Sequence, residues 1–188
     1  MNLPNRVTLV RIFLIPIFLV VVSLRYKYGD YIAAAVFILA ASTDGLDGYI
    51  ARKKKLVTKL GKLMDPLADK LLITAALVSL VELHRLPGWV AVIIIGREFA
   101  ITGLRALAAA EGNIIAASNL GKIKTVTQIV AVVALFLAPK LVASDTILGQ
   151  YLPIYLGYLA MGVAVFFTIW SGLEYVSRCW PVIKKGGY

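Results

Sequence analysis

The deciding stretch reads Asp44-Gly-Leu-Asp-Gly-Tyr-Ile-Ala-Arg52, and after eight residues it continues Gly61-Lys-Leu-Met-Asp-Pro-Leu-Ala-Asp69. Asp44 and Asp47 are three residues apart and Asp65 and Asp69 are four apart, so each pair shares one face of a helix. The connection between the two helices is short, which makes them antiparallel neighbours. The spacing therefore predicts that both carboxylate pairs lie at the same depth and converge on one point.

Four converging carboxylates would repel one another strongly in a low dielectric, so a cation is expected among them. Ligands that are all oxygen select a hard cation such as Mg²⁺, Mn²⁺ or Ca²⁺, and no histidine lies nearby to favour zinc. The alternative is that the aspartates pair, as solvated loop charges, with Lys53, Lys54, Lys55, Lys59 and Lys62. Such pairing explains poorly why all four lie on matched helical faces at the edge of apolar segments, and we therefore predict a metal site.

Apolar segments flank this stretch on both sides. The chain of 188 residues is 60% hydrophobic, whereas a soluble domain is nearer half apolar. A membrane-spanning helix needs about 20 residues. Six segments qualify approximately: 9–24, 31–50, 64–83, 87–110, 123–141 and 152–176. We predict a single all-α integral membrane domain over residues 1–188, with six transmembrane helices.

Charged residues interrupt three of these segments. The second carries two aspartates, and the third and fourth carry Asp65, Asp69, Lys70, Arg97, Glu98 and Arg105. A charge at membrane depth costs about 2.5–3.5 kcal/mol on insertion scales, so such residues usually face a bundle interior or a wet cavity. The bundle should therefore enclose a polar cavity built mainly from segments two, three and four.

Lysine and arginine are unevenly divided between the two predicted membrane sides. With the N-terminus inside, the outer side holds only Arg25, Lys27, Arg85 and Lys140. The positive-inside rule then places both termini and the cavity mouth in the cytoplasm, for a multi-pass protein of the cell membrane. The net charge of +10 fits a basic surface facing anionic membrane lipids, and we expect no nucleic-acid partner.

Three residues near the aspartates have two interpretations each. Gly48 and Gly61 would let either a ligand or another helix approach closely. Arg52 lies one turn beyond Gly48 and can either reach a phosphate or anchor the helix at the membrane surface. The residues alone leave these alternatives open.

The stretch has the pattern D-x-x-D-G-x-x-A-R-x(8)-G-x-x-x-D-x-x-x-D, which resembles the signature of the CDP-alcohol phosphotransferase family at every fixed position. The resemblance implies a six-helix homodimer that transfers a phosphatidyl group from CDP-diacylglycerol with a divalent metal, Mg²⁺ or Mn²⁺. It implies that Asp44, Asp47 and Asp65 bind metal and that Asp69 both contacts the metal and acts as general base. It assigns the CDP-diacylglycerol contacts to Thr8, Gly48, Arg52, Thr58 and Gly61.

Three further stretches resemble the phosphatidylglycerophosphate-forming members of that family, namely Leu3–Arg11, Gly96–Arg105 and Gly121–Gln128. This resemblance implies sn-glycerol 3-phosphate as the acceptor. A phosphorylated acceptor needs fixed cations, and the candidates are Arg105, Lys122 and Lys124. For the two lysines the alternative is membrane-surface anchoring.

Four residues have possible supporting roles, namely Asn5, Arg11, Arg97 and Glu98. Arg97 and Glu98 are adjacent, and adjacent residues on a helix do not face each other. We therefore expect each to have a partner on another helix: Glu98 would orient a cation, and Arg97 a carboxylate or phosphate. A purely structural buried pair is the alternative.

Other functions compete with this one. The acceptor could instead be an inositol phosphate, serine or phosphatidylglycerol. A membrane prenyltransferase also uses aspartate-rich helices and Mg²⁺, but its aspartate motifs lack the Gly-x-x-Ala-Arg continuation seen after Asp47. A cation transporter would show carboxylates along the length of a pathway, whereas here they cluster at one end of the helices.

Overall fold

The computed structural model describes residues 3–54, 59–110, 119–140 and 147–185. These residues are helical, with short turns and no strand among them. The helices are α1 (Leu3–Ser23), α2 (Gly29–Lys54), α3 (Lys59–Glu82), α4 (Gly88–Ala110), α5 (Asn119–Leu137) and α6 (Ile147–Lys185), with a 3₁₀ turn at Ala138–Lys140. Each predicted segment corresponds to one helix, which confirms the all-α class.

The outer surface of the bundle is strongly apolar. Two helical stretches, Leu120–Leu137 and Tyr151–Cys179, are long and apolar enough to cross a membrane by length and composition. Large side chains such as Phe13 and Val92 are 68% and 71% exposed. Apolar exposure on this scale is unusual for a soluble monomer and is consistent with a membrane protein.

Three phenylalanines mark the centre of the core. Phe18 of α1, Phe37 of α2 and Phe136 of α5 are fully buried. The ring centroids of Phe18 lie 6.1 Å from Phe37 and 5.7 Å from Phe136, within the range of favourable aromatic pairs. Phe18 of α1 thus packs against both α2 and α5, which also contact each other, so the aspartate-bearing helix lies beside the helix that carries Lys124.

The turn between α3 and α4 brings Arg85 to the start of α2. His84 has a left-handed backbone, with φ 57°, and the Arg85 amide donates to the Leu80 carbonyl at 2.9 Å, as in a Schellman cap. The Arg85 guanidinium donates to both carboxylate oxygens of Asp30 at 2.8 and 3.1 Å, and to the Phe136 carbonyl at 3.2 Å. One end of the bundle is therefore tied together across α2, α5 and the α3–α4 turn.

We expect Asp30→Asn to lower the free energy of unfolding by about 1–3 kcal/mol, because a charge-assisted hydrogen bond is lost. The Arg85 and Asp30 side chains are only 20% and 16% exposed, so water replaces the lost partner poorly. Thermal unfolding in detergent measures the effect. Glu174→Gln is the control, because the more exposed Glu174–Arg178 pair should contribute only about 0.3–0.5 kcal/mol. Equal unfolding temperatures for wild type and Asp30→Asn would show that the pair does not stabilise the fold.

Candidate active site

A small polar cavity lies between α2, α3, α4 and α5. Its volume is about 50 Å³, which is room for a few water molecules or one small polar group of a substrate. The polar lining consists of Asp69, Glu98, Lys124, Thr125 and Gln128. Side chains from three helices thus meet at the end of the bundle opposite Asp30 and Arg85.

Asp69 reaches the cavity because it lies on the buried face of α3. Leu72 and Ala76 follow it by three and seven residues and are 2% and 0% exposed, so helical periodicity turns Asp69 towards the same interior. The Asp69 side chain is half-buried. The structure therefore places this predicted general base where a small substrate group can reach it.

The other three aspartates are placed by backbone only. Asp44 and Asp47 lie in α2 and Asp65 in α3, and these two helices contact each other, as the short connection predicts. Their side chains, like those of Asn5 and Arg52 and the surroundings of Gly48 and Gly61, lie outside the described part of the chain, as does Thr58 altogether. The convergence of four carboxylates and the nucleotide contacts therefore stay predictions.

Glu98 is the meeting point of two cations. Arg97 Nη1 donates to Glu98 Oε1 at 3.2 Å, and Lys124 Nζ of α5 donates to the same oxygen. Arg97 Nη2 also donates to Ser171 Oγ of α6 at 2.9 Å. Each residue therefore has a partner on another helix, and that of Glu98 is a cation as expected, whereas that of Arg97 is a hydroxyl and not a carboxylate or phosphate.

Arg97 and Glu98 nevertheless contact each other, which fits the alternative of a structural buried pair. Neighbouring Cβ atoms do diverge on a helix, but the long arginine side chain bends back to its neighbour. Gly172 of α6 leaves the space for it, since a Cβ at that position would lie 3.3 Å from Arg97 Cγ. The flexibility of arginine thus overrides the simple rule about helical faces.

Arg105, Lys122 and Lys124 are not brought together in one cluster. Lys124 is 5% exposed and lines the cavity, whereas Lys122 is exposed, because residues two apart on a helix point about 160° apart. Arg105 is also exposed, and it lies close enough to Lys70 for the two positive charges to repel each other. Of these three cations, the described structure places Lys124 at the cavity.

Two buried polar residues of α1 support the same end of the bundle. Thr8 is 2% exposed and Arg11 is 1% exposed. Arg11 Nε donates to Thr43 Oγ1 of α2 at 3.2 Å, one residue before Asp44. Arg11 therefore fixes α1 against the part of α2 where the aspartate motif begins.

Sequence reasoning did not assign a role to Gln128 or Thr168. Gln128 Nε2 donates to Thr168 Oγ1 at 3.0 Å, and both side chains are buried. This contact joins the cavity wall in α5 to α6. The sequence offered one indication of Gln128, which is the amide side chain within segment five, directly after Thr127.

The donor chemistry at this end suits a hard divalent cation. Asp69 offers carboxylate oxygen at the cavity, the ligand type that Mg²⁺ and Mn²⁺ prefer. Among the described side chains there is no group of three or more acidic, histidine or cysteine residues that could hold a metal. The three other predicted ligands lie outside those side chains, so the metal site is a prediction that the described residues fit.

Comparison with known proteins identifies the family. The sequence profile of the CDP-alcohol phosphatidyltransferases matches residues 1–170. A protein of Bacillus subtilis named CDP-diacylglycerol–glycerol-3-phosphate 3-phosphatidyltransferase is 46% identical, over 97% of this chain and 97% of its own. Proteins with the same name from Pseudomonas fluorescens and Rickettsia felis are 37% and 38% identical, over 100% and 95% of this chain and 94% and 95% of their own.

These matches confirm the resemblance drawn from the aspartate motif. The match extends from the first helix well into α6, so it covers the cavity and every helix that lines it. The chain belongs to the CDP-alcohol phosphatidyltransferase family.

Proposed function

We propose that this chain transfers the phosphatidyl group of CDP-diacylglycerol to sn-glycerol 3-phosphate, giving phosphatidylglycerophosphate and CMP. The main structural support is the charged cavity, which Lys124 and Asp69 both line. A fixed ammonium beside a carboxylate suits a substrate that has both a phosphate to bind and a hydroxyl to deprotonate. The names of the relatives point to the same acceptor.

The charge balance around the cavity favours a phosphorylated acceptor. The interacting side chains are Asp69, Lys70, Arg97, Glu98, Arg105 and Lys124. Among these described side chains, four cations against two carboxylates leave an excess of two positive charges, provided that the predicted divalent metal offsets the further carboxylates of Asp44, Asp47 and Asp65. A phosphomonoester carries about −1.5 to −2 charges near neutral pH, whereas serine or a neutral polyol would leave the excess uncompensated.

In the proposed reaction, a hydroxyl of glycerol 3-phosphate attacks the phosphorus that carries the diacylglycerol. Lys124 holds the acceptor phosphate, with Arg105 and Lys122 nearer the surface, and Asp69 accepts the hydroxyl proton as the new P–O bond forms. The P–O bond to the cytidine phosphate breaks, and CMP leaves with that electron pair. Because the residues mainly orient two substrates, positioning supplies much of the rate.

The predicted metal ligands are Asp44, Asp47, Asp65 and Asp69. A divalent metal held there would neutralise the pyrophosphate of CDP-diacylglycerol and polarise the reacting phosphorus. Gly48, Arg52, Thr58, Gly61 and Thr8 would receive the rest of the CDP-diacylglycerol head.

The membrane arrangement belongs to the same proposal. Residues 1–188 form one domain with six spans and cytoplasmic termini, and the cavity faces the cytoplasm, where soluble glycerol 3-phosphate is available. The end of the bundle with Asp69 and Lys124 is the lysine-rich end, which supports this orientation under the positive-inside rule. We also propose that the chain forms the homodimer that the family resemblance implies. The mass of the purified enzyme in detergent would test this.

The activity is tested by CMP release from CDP-diacylglycerol with a panel of acceptors. Glycerol 3-phosphate should support turnover, whereas inositol phosphate, serine and phosphatidylglycerol should not. Efficient turnover with another acceptor would reassign the substrate while keeping the chemistry. No CMP release with any acceptor would contradict the proposed function.

We expect Lys124→Met to raise the KM for glycerol 3-phosphate by about 10- to 100-fold, because a hydrogen bond to a charged group is lost from a buried site. The KM for CDP-diacylglycerol should change little. Lys122→Met is the matched comparison, and its effect should be smaller, because the exposed Lys122 is screened by water. Equal rises in both KM values for Lys124→Met would remove the acceptor role.

A further inference from the structure

Glu98 occupies an unusual position between two cations and the cavity. Its Oε1 atom accepts from both Arg97 and Lys124, and it lines the cavity with Asp69. The Glu98 and Lys124 side chains are only 14% and 7% exposed. The Glu98 carboxylate would repel a phosphate bound to Lys124, so its position beside this predicted phosphate-binding lysine has to be explained.

A buried lysine needs a countercharge to stay where it is. Removing one partner of a buried ion pair is strongly unfavourable, because the remaining charge is left uncompensated. Lysine has a long flexible stem, and its ammonium can turn towards water when it loses its partner. Lys124 lies five residues after the start of α5 and two residues after the exposed Lys122, so its long stem can carry the ammonium towards the surface.

We propose that Glu98 is a positioning residue whose carboxylate holds the Lys124 ammonium in the cavity, beside Asp69, for the acceptor phosphate. This inference rests on the proposed function. The acceptor then meets a lysine that is already oriented, and less binding energy is spent on ordering it.

The rest of the network holds Glu98 itself in place. Arg97 contacts Glu98 with Nη1 and Ser171 with Nη2, so the carboxylate is fixed from the α6 side while Lys124 approaches from α5. Ser171 in turn donates to the Phe167 carbonyl at 2.6 Å, which fixes its hydroxyl. The ammonium of Lys124 is therefore located by a chain of contacts through three helices.

Removing the Glu98 charge could change the KM for glycerol 3-phosphate in either direction, and the direction distinguishes two roles of Glu98. If Glu98 merely competes with phosphate for Lys124, Glu98→Gln should lower the KM for glycerol 3-phosphate. If Glu98 positions Lys124, the same variant should raise that KM. We expect the rise, because the buried ammonium loses its countercharge before the acceptor arrives.

The first experiment compares kinetic constants of Glu98→Gln and wild type. We expect the KM for glycerol 3-phosphate to rise by about tenfold or more, and the KM for CDP-diacylglycerol to stay within about twofold. In the Lys124→Met background, Glu98→Gln should have little further effect on the acceptor KM, because the group that it positions is absent. Glu98→Asp keeps the charge and should recover part of the wild-type value.

Asp30→Asn is the matched control. It also removes a carboxylate from a mostly buried ion pair, with Arg85. Arg85 contacts the Phe136 carbonyl, which lies twelve residues after Lys124 on α5, or about 18 Å along the helix. Asp30→Asn should lower the unfolding temperature without changing either KM, which separates positioning from general loss of stability.

The second experiment follows Lys124 without using activity. A water-soluble amine-acetylating reagent, read by mass spectrometry, should leave Lys124 largely unmodified in the folded wild-type enzyme and modify it in Glu98→Gln. The exposed Lys122 should react equally in both proteins and serves as the internal standard.

The outcomes separate this inference from the function on which it rests. A lowered or unchanged acceptor KM in Glu98→Gln, or a Lys124 that stays protected from acetylation, overturns the positioning role. If none of the acceptors supports CMP release by the wild-type enzyme, the proposed function fails. The acetylation result still shows whether Glu98 holds Lys124. An unchanged acceptor KM in Lys124→Met would overturn both the phosphate role and the positioning role.

Discussion

Asp69→Asn should abolish turnover while leaving the helical fold intact. Asparagine has nearly the same shape as aspartate, but its amide cannot accept the proton of the acceptor hydroxyl. General-base catalysis contributes about 10²–10⁴-fold to a rate, and loss of a predicted metal ligand adds to that. Asp69 is half-buried at the cavity rather than in the tightly packed core, so the fold should tolerate the change. CMP release under saturating substrates measures the effect.

The matched control is again Asp30→Asn, the same chemical change at the opposite end of the bundle. It should lower stability yet retain turnover, whereas Asp69→Asn should retain stability yet lose turnover. Circular dichroism and thermal unfolding report on the fold. Substantial activity in Asp69→Asn would remove the assignment of Asp69 as general base.

The two roles of Asp69 can be separated by metal binding. Titration of Mn²⁺ into the purified variant, followed by electron paramagnetic resonance, reports the free ion. If Asp69→Asn binds Mn²⁺ as wild type does but is inactive, then proton transfer is its main role. If binding is lost, its main role is that of a ligand.

Removal of divalent metal should reduce activity to the uncatalysed background. Without a cation, the predicted carboxylates would repel the pyrophosphate of CDP-diacylglycerol, which is itself anionic, and the reacting phosphorus would lose its electrostatic activation. Dialysis against EDTA followed by the CMP assay tests this. Added Mg²⁺ or Mn²⁺ should restore the rate, because both ions accept all-oxygen ligands.

Two controls make the metal experiment decisive. EDTA already saturated with Mg²⁺ should not inhibit, which excludes an effect of the chelator itself. Recovery after adding metal back excludes irreversible unfolding. Full activity after exhaustive chelation would contradict the metal site, although it would leave the acceptor contacts of Lys124 open to the separate KM measurement.

The regular elements were predictable because they depend on local periodicity and hydrophobicity. Six apolar segments predicted six helices, and the structure has a helix at each. The ends were less predictable: α2 continues to Lys54 and α6 spans Ile147–Lys185, beyond the apolar segments. Backbone hydrogen bonding continues past the apolar part of a segment. Hydrophobicity therefore marks the apolar part of a helix and not the residues at which the helix begins and ends.

Part of the site was also predictable, since the spacing of Asp69 on α3 already indicated an inward face. The relative roles of Lys122 and Lys124 were not. Both were assigned to the acceptor, but the rotation of α5 in the bundle buries Lys124 and exposes Lys122. That rotation depends on how α5 packs against α6 and α2, which no local pattern specifies.

By itself, the sequence determined the helical class, the apolar exterior, the inward face of α3 and the motif that identifies the family, because these properties depend on residues close together along the chain. Only the tertiary structure decided which distant charges meet. The Asp30–Arg85, Glu98–Lys124 and Arg97–Ser171 contacts join residues 55, 26 and 74 positions apart. Such pairings depend on the depth and rotation of each helix in the bundle, which are set by the packing of all the helices together.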